Sequence, residues 1–219
     1  MPIVPYIAVA LAAYLLGSIP TGFLVAKGKG VDIRTVGSGN IGATNVVRAL
    51  GVPAGVFVLL ADAIKGWLAV VLVTRLVANW FELSAVSPQR EWLAICAGLA
   101  AILGHNYTCW LHFKGGKGIA TSAGVLVALV SWSFLIILGV WVVVFALTRY
   151  VSLASISAAF SLPFAAWLTG QSFTMIVLMA AMGALAIYKH KANIRRLING
   201  TENRIGSKKM PPAPDAPAS

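Results

Sequence analysis

The sequence is poor in charged residues, and acidic residues are the scarcest of them. Charged side chains make up 11% of the 219 residues, whereas soluble globular domains carry about 25%. Only 6 Asp and Glu stand against 17 Lys and Arg, so the formal net charge is +11. Two cysteines are too few for a disulfide framework or a Cys-rich zinc module. These shortages exclude a soluble globular enzyme, a disordered chain and a coiled coil.

Hydrophobic residues dominate what is present. They make up 59% of the chain, and the mean hydropathy is +0.86. A nucleic-acid-binding protein would carry its basic residues on a polar scaffold, so no nucleic-acid partner is expected. The sequence predicts an all-α integral membrane protein, embedded in the lipid bilayer, with a single domain over residues 1–207. Residues 208–219 are Pro-rich, lack apolar content and are expected to form a disordered tail.

The apolar runs predict a compact bundle of about seven transmembrane helices. Five runs are separate, and they cover residues 5–26, 52–78, 91–104, 152–168 and 172–188. Residues 118–147 form either one very long helix or two short ones that meet near Ser131. If this stretch forms two helices, nearly all Lys and Arg lie on one side of the membrane and only Arg75 and Arg90 lie on the other side. Because basic residues favour the cytoplasmic side, we predict seven crossings, an outer N-terminus and a cytoplasmic C-terminus.

Three polar segments then lie on the cytoplasmic side, and the first is DIRTVGSGNIGATNVVR, residues 32–48. Its glycines allow positive φ and close approach of the backbone to a ligand. Exposed N–H groups beside guanidinium groups suit a phosphate or a carboxylate. A flexible linker whose Ser and Asn cap a helix is the alternative.

The second polar segment is HNYTCWLHFKGGKGIAT, residues 105–121. Three glycines surround Lys117, and the chain then enters a helix at Ile119, which predicts a cradle for a phosphate or an oxyanion. It is not a Walker A loop, because the position where that motif requires its first glycine is not glycine. A glycine hinge with topology-setting lysines is the alternative.

The third polar segment is HKANIRRLINGTENR, residues 190–204. His190, Asn193 and Arg196 fall at helical spacing, which predicts an amphipathic continuation of the last helix. A basic anchor for anionic lipid would explain the Lys and Arg residues. That alternative does not explain His190, Asn193 and Glu202.

Few polar residues lie deep in the apolar runs. Asp62 and Lys65 stand three residues apart on one helical face, and we expect a structural ion pair rather than direct catalysis. His105 and His112 have no nearby Cys, Asp or Glu to complete a metal site. Neither a metal nor a cofactor is therefore predicted.

Taken in order, the three segments resemble the bacterial membrane glycerol-3-phosphate acyltransferases that use acyl phosphate as donor. The resemblance also covers GSIPTGFL at residues 17–24 and DAIKG at 62–66, and it extends to Arg204. HNYTCWLHF, residues 105–113, departs from the family's pattern because it lacks the proline common there. The resemblance implies acyl transfer from acyl phosphate to the 1-hydroxyl of glycerol 3-phosphate, on the cytoplasmic face of the bacterial inner membrane. The oligomeric state is left open, and a monomer is compatible with the sequence.

The resemblance also implies the site residues. The expected catalytic residues are Ser38, Arg48, Lys117, His190 and Asn193. The expected substrate-binding residues are Gly37, Gly39, Asn40, Thr44, Asn45, Gly115, Gly116, Gly118, Thr121 and Glu202. We expect the acyl phosphate at the loop around Lys117 and glycerol 3-phosphate at Arg48, Ser38 and Asn40. Either His190 or the leaving phosphate takes the hydroxyl proton, and we favour the phosphate.

A transporter for a phosphorylated metabolite is the competing hypothesis, and a basic membrane scaffold is a third. A transporter should place its polar groups near the bilayer midplane, often on broken helices. Here only Asp62 and Lys65 are deep, whereas the phosphate-type segments cluster at one interface. This asymmetry favours an enzyme that faces the membrane surface.

Overall fold

The computed structural model describes residues 3–84 and 87–206 of the chain. Helices and connecting loops make up these described residues, which contain no strand. The α-helices are α1 (Val4–Ser18), α2 (Thr21–Lys27), α3 (Ala43–Leu50), α4 (Val52–Leu68), α5 (Thr74–Trp80), α6 (Pro88–Asn106), α7 (Ile119–Leu129), α8 (Ser131–Thr148), α9 (Val151–Leu168), α10 (Phe173–Lys189) and α11 (Lys191–Ile198). A π-helical turn, Ala69–Val73, joins α4 to α5, and a 3₁₀ turn, Cys109–Leu111, follows α6. The predicted tail at 208–219 lies outside the described residues.

Five stretches of helix are long and apolar enough to cross a bilayer. They are Val4–Lys27, Val52–Trp80, Pro88–Leu111, Ser131–Thr148 and Val151–Leu168. Helices α10 and α11, which are bent by 59° relative to each other, make a sixth only when the pair is counted as one span. Helix α7 has only 11 residues, so it is about 16 Å long, roughly half of a bilayer's hydrocarbon core.

The helix boundaries agree with the apolar runs except near the N-terminus. The first run, expected as one helix, is interrupted between Ser18 and Thr21. Pro20 lies in this break and lacks the N–H that a continuous helix would need. The 118–147 stretch forms two helices, as predicted, and they meet at Val130. The amphipathic continuation after α10 is present as α11.

Glycines allow two pairs of helices to pack backbone against backbone. Gly17 of α1 lies against the main chain of Ala101 in α6, so any larger side chain there would collide. Gly66 of α4 lies in the same way against the main chain of Thr121 in α7. Small residues permit such close approach between membrane helices. The short helix α7 is thereby held against α4, with the loop that precedes α7 at one end of the pair.

The three polar segments meet at one end of the bundle. Lys117 of the second segment hydrogen-bonds Asn193 of the third, and Arg48 of the first segment is close enough to Glu202 of the third for their charges to interact. The Lys189 ammonium also donates to the carbonyl of Asn106 at 3.0 Å. At the opposite end, the hydroxyls of Ser133 and Thr169 lie 2.6 Å apart. The fold therefore brings together the segments that the sequence singled out, although they are far apart along the chain.

Candidate active site

Asn45 organises the first loop from a buried position on α3. Its Oδ1 accepts the N–H of Ser38 at 2.9 Å. Its Nδ2 donates to the carbonyls of Val36 at 2.9 Å and Ile33 at 3.2 Å. Gly37, at φ +61°, lies so close to Oδ1 that no side chain fits there. The amide of Asn45 thus holds the loop, and its predicted contact with substrate stays a prediction.

The rest of the first loop leads into α3 and Arg48. Asn40 Oδ1 accepts the N–H of Gly42 at 2.9 Å, just before the helix begins. Gly39 has φ +68°, a conformation that favours glycine. Ser38 is exposed and Thr44 is half-buried. Arg48 lies in the last turn of α3.

The second loop is attached to the end of α6 through its first two glycines. The N–H of Gly115 donates to the carbonyl of Asn106 at 3.3 Å, and that of Gly116 to the carbonyl of His105 at 3.0 Å. These two N–H groups, which were expected in the anion cradle, are therefore used inside the protein. The start of α7, beginning at Ile119, offers the N–H groups that a helix leaves without internal acceptors. Contact of Gly115 and Gly116 with substrate stays a prediction.

Lys117 lies between those glycines and the start of α7, and its ammonium points across to the third segment. Its Nζ donates to Oδ1 of Asn193 at 2.5 Å. Asn193 Nδ2 in turn donates to Oε1 of Glu202 at 2.7 Å. One hydrogen-bonded chain therefore joins the second and third segments.

Glu202 is the acceptor at the end of that chain, and two further donors reach it. The Ser152 hydroxyl of α9 donates to Oε1 at 2.8 Å. Arg196 Nε donates to Oε2 at 2.6 Å. Burial alone would raise the pKa of Glu202, but hydrogen bonds from Asn193, Arg196 and Ser152 hold this pKa below its usual value.

Positive charge exceeds negative charge around these hydrogen-bonded side chains. Arg48 and Arg196 are close enough to Lys117 to disfavour its protonated form, and Glu202 partly offsets them. Burial is the larger cause, and together these effects lower the pKa of Lys117 to about 8. Three cationic side chains facing one carboxylate suit a dianionic ligand such as a phosphate.

His190 sits at the bend between α10 and α11 and is 3% exposed. Its Nδ1 lies 2.8 Å from the carbonyl of Ala186. Because a carbonyl can only accept, Nδ1 carries the hydrogen and Nε2 remains the acceptor nitrogen. An imidazole in this state can take a proton only at Nε2.

Several residues near the loop were not among the predicted site residues. The carboxamide of Asn106 is buried beside Gly118 and has no hydrogen-bond partner within the described ranges. His105, Lys65 and Ser152 also border the site. Asn106 lies nine positions before Gly115, and its place in the second polar segment was the one available signal. Thr121, which was predicted, is buried on α7.

Comparison with known proteins identifies the family. The family model described as glycerol-3-phosphate acyltransferase matches residues 7–200. The chain belongs to the glycerol-3-phosphate acyltransferase family. The glycerol-3-phosphate acyltransferase of Geotalea daltonii is 48% identical to it over 197 residues, which cover 90% of this chain and 96% of the relative.

Two solved structures share the fold of this acyltransferase. The crystal structure of PlsY (YgiH), an integral membrane glycerol 3-phosphate acyltransferase, in its glycerol 3-phosphate form has a TM-score of 0.80 and 42% identity, and the match covers 92% of this chain and 96% of that one. The lysophosphatidic acid form has a TM-score of 0.77 and 41% identity, with 92% and 95% covered. The predicted all-α integral membrane architecture is thereby confirmed, as is the resemblance to the family.

The acyltransferase fold brings some of the predicted site residues into one hydrogen-bonded chain and leaves others outside it. Lys117, Asn193 and Glu202 form one hydrogen-bonded chain, and Arg48 is linked to it by charge. Within the described residues, no hydrogen bond joins the Ser38 side chain to that chain. The first loop therefore approaches the other two through Arg48.

Proposed function

We propose that this protein transfers an acyl group from acyl phosphate to the 1-hydroxyl of glycerol 3-phosphate, an early step of bacterial phospholipid synthesis. The products are 1-acylglycerol 3-phosphate and inorganic phosphate. The observation that carries the proposal is the position of Lys117, between a glycine loop and two arginines at one end of a membrane bundle. Related PlsY structures in glycerol 3-phosphate and lysophosphatidic acid forms support this substrate and this product.

Two anionic groups have to be held close together for this reaction. The acyl phosphate lies at the start of α7, where helix N–H groups and the Lys117 ammonium converge. Glycerol 3-phosphate lies towards Arg48, with Ser38 and Asn40 as further contacts. Its acceptor hydroxyl then faces the donor between the first loop and the third segment.

The chemical step forms one carbon–oxygen bond and breaks another. Oxygen 1 of glycerol 3-phosphate attacks the carbonyl carbon of the acyl phosphate, and the bond from that carbon to the phosphate oxygen breaks. Preorganised donors such as the N–H groups at the start of α7 and the Lys117 ammonium stabilise the negative charge that develops on the carbonyl oxygen. The leaving phosphate takes the hydroxyl proton, since phosphate esters have a second pKa of about 6. His190 borders the site but is not the base in this proposal.

The second part of the proposal concerns the membrane topology. The chain crosses the membrane seven times, with an outer N-terminus and a cytoplasmic active face. Helix α7 begins at the end where Lys117 meets Asn193. Helix α8 ends at the same side, because the N–H of Ile205 bonds the carbonyl of Arg149. The short α7 therefore runs away from the site and α8 returns to it, which supports two crossings. The excess of Lys and Arg at the site end supports its cytoplasmic placement.

The donor is tested by giving the purified protein glycerol 3-phosphate with acyl phosphate, acyl-CoA or acyl-carrier protein in parallel. We expect lysophosphatidic acid with acyl phosphate and none above background with the other two. Product from acyl-CoA alone would overturn the donor assignment. Uptake of labelled glycerol 3-phosphate into sealed vesicles without any donor, and no product in the donor assays, would favour a transporter.

A further inference from the structure

Three buried polar side chains lie directly beneath the glycine loop. Lys65 Nζ is 2.7 Å from Oδ1 of Asp62 and 3.0 Å from Nδ1 of His105. It also donates to the carbonyl of Ile19 at 2.8 Å. Asp62, Lys65 and His105 are 2%, 5% and 5% exposed. The expected structural ion pair therefore has a third member, which belongs to another helix.

Lys65 sets the orientation of the His105 imidazole. An ammonium group can only donate, so Nδ1 of His105 accepts. The neutral ring then carries its hydrogen on Nε2, the nitrogen at the far end. Asp62 holds the ammonium in place from its other side. The ring is thus fixed at one end by a buried ion pair.

The far end of the imidazole lies against Gly116. A Cβ atom at Gly116 would collide with Nε2, and it would meet Cδ2 and Cε1 at 3.0 Å. All three nearest atoms belong to the His105 ring. At neighbouring Gly115 the collision would instead be with the main chain of His105 and Asn106. A side chain at Gly116 would therefore meet the His105 ring, whereas a side chain at Gly115 would meet backbone atoms.

We propose that His105 is a positioning residue for the anion site. The Asp62–Lys65 pair fixes its ring, the ring supports Gly116, and Gly116 sets the direction from which Lys117 reaches Asn193. The inference rests on the proposed function in one respect, namely that Lys117 binds a substrate phosphate. A displacement of a binding group by about 1 Å can cost roughly 10²-fold in activity.

The collision at Gly116 provides a compensation test. Gly116→Ala should weaken acyl phosphate binding by about 10²-fold, because the new methyl group displaces the loop. His105→Asn keeps an acceptor for Lys65 but removes the outer part of the ring. The double variant Gly116→Ala with His105→Asn should therefore bind acyl phosphate at least about tenfold more tightly than Gly116→Ala alone, because the two residues are in contact and their effects are coupled.

Gly115→Ala is the matched control. Its methyl group meets main-chain atoms, so adding His105→Asn should bring no recovery. Acyl phosphate binding is measured, without glycerol 3-phosphate, by titration calorimetry on detergent-solubilised protein, with the thermal midpoint recorded in parallel. If Gly116→Ala fails to fold, the double variant should restore folding. Equal recovery in both glycine backgrounds, or recovery in neither, would overturn the proposal, as would losses of binding that follow the thermal midpoint alone.

The calorimetric readout separates this inference from the proposed function. If the unmodified protein binds acyl phosphate but transfers no acyl group to glycerol 3-phosphate, the proposed reaction fails while the compensation test still decides the role of His105. If transfer occurs and no compensation is seen, the reaction stands and the positioning role is wrong. Absence of any acyl phosphate binding to the unmodified protein would overturn both.

Discussion

The Lys117 ammonium donates to the side-chain oxygen of Asn193, a residue 76 positions further along the chain. This contact places a half-buried cation of the glycine loop against α11, which belongs to the third segment. Asn193 in turn donates a hydrogen bond to Glu202. A phosphate that binds Lys117 thus meets a side chain already oriented by two other parts of the protein.

Removing the Lys117 cation should abolish most of the activity. We expect Lys117→Ala to lower kcat/KM by about 10²–10³-fold, the range seen when one preorganised transition-state donor is lost. Lys114→Ala is the control, because Lys114 lies three residues earlier in the same loop and is exposed. Steady-state kinetics on both purified variants check this. Equal losses in the two variants would indicate a general effect of loop charge instead.

The lowered pKa of Lys117 predicts a pH-dependent affinity. Burial and the nearby Arg196 and Arg48 lower that pKa to about 8. A lysine is charged below its pKa, so the cation is lost as the pH rises through about 8. We expect the KM for acyl phosphate to rise above that pH. In Lys117→Arg the rise should disappear, because arginine stays charged; an unchanged pH profile in that variant would contradict the assignment.

Glu202 should contribute to stability as well as to positioning. Its carboxylate accepts from Ser152, Asn193 and Arg196. Glu202→Ala leaves the buried Ser152 and Asn193 without their acceptor, which should cost about 1–3 kcal/mol of unfolding free energy. Thermal unfolding in detergent measures the loss. Glu82→Gln, at an exposed position, serves as the control and should leave the midpoint unchanged.

The variant His190→Ala tests which group accepts the hydroxyl proton. If the leaving phosphate takes the proton, His190→Ala should lower kcat by no more than about tenfold, below the usual contribution of about 10²–10⁴ from a general base. Single-turnover measurements with acyl phosphate separate this step from binding. A loss of several orders of magnitude with glycerol 3-phosphate binding retained would make His190 the base.

Asn45 should act by ordering the first loop. Asn45→Asp keeps an acceptor for the N–H of Ser38 but replaces the donor to Val36 and Ile33 with a carboxylate oxygen. We expect faster amide hydrogen exchange over residues 33–38 and a higher KM for glycerol 3-phosphate. Slow exchange in this variant together with a raised KM would instead indicate direct contact between Asn45 and substrate.

Local features of the fold could be predicted from the sequence because they depend on short-range chemistry. The apolar runs set the helices, and the 118–147 stretch divides at Val130 much as its length and flanking charges predicted. The break before Thr21 was missed, although Pro20 marks it. A long apolar run outweighed a single proline in that prediction.

The long-range contacts of the site could not be predicted from spacing alone. Ser152 reaches Glu202 across 50 positions, and Lys65 reaches His105 across 40. The use of the Gly115 and Gly116 N–H groups by α6 carbonyls also depends on how the loop folds back. Such contacts arise from helix packing, which a motif in one segment does not encode.

The most direct test of the proposed reaction counts both products at once. Purified protein is mixed with acyl phosphate and glycerol 3-phosphate, and inorganic phosphate and acylated glycerol phosphate are measured over the same interval. We expect the two to appear in a one-to-one ratio, with acyl attachment at carbon 1, and both to be lost in Lys117→Ala. Phosphate release without acylated product, or no dependence on glycerol 3-phosphate, would contradict acyl transfer.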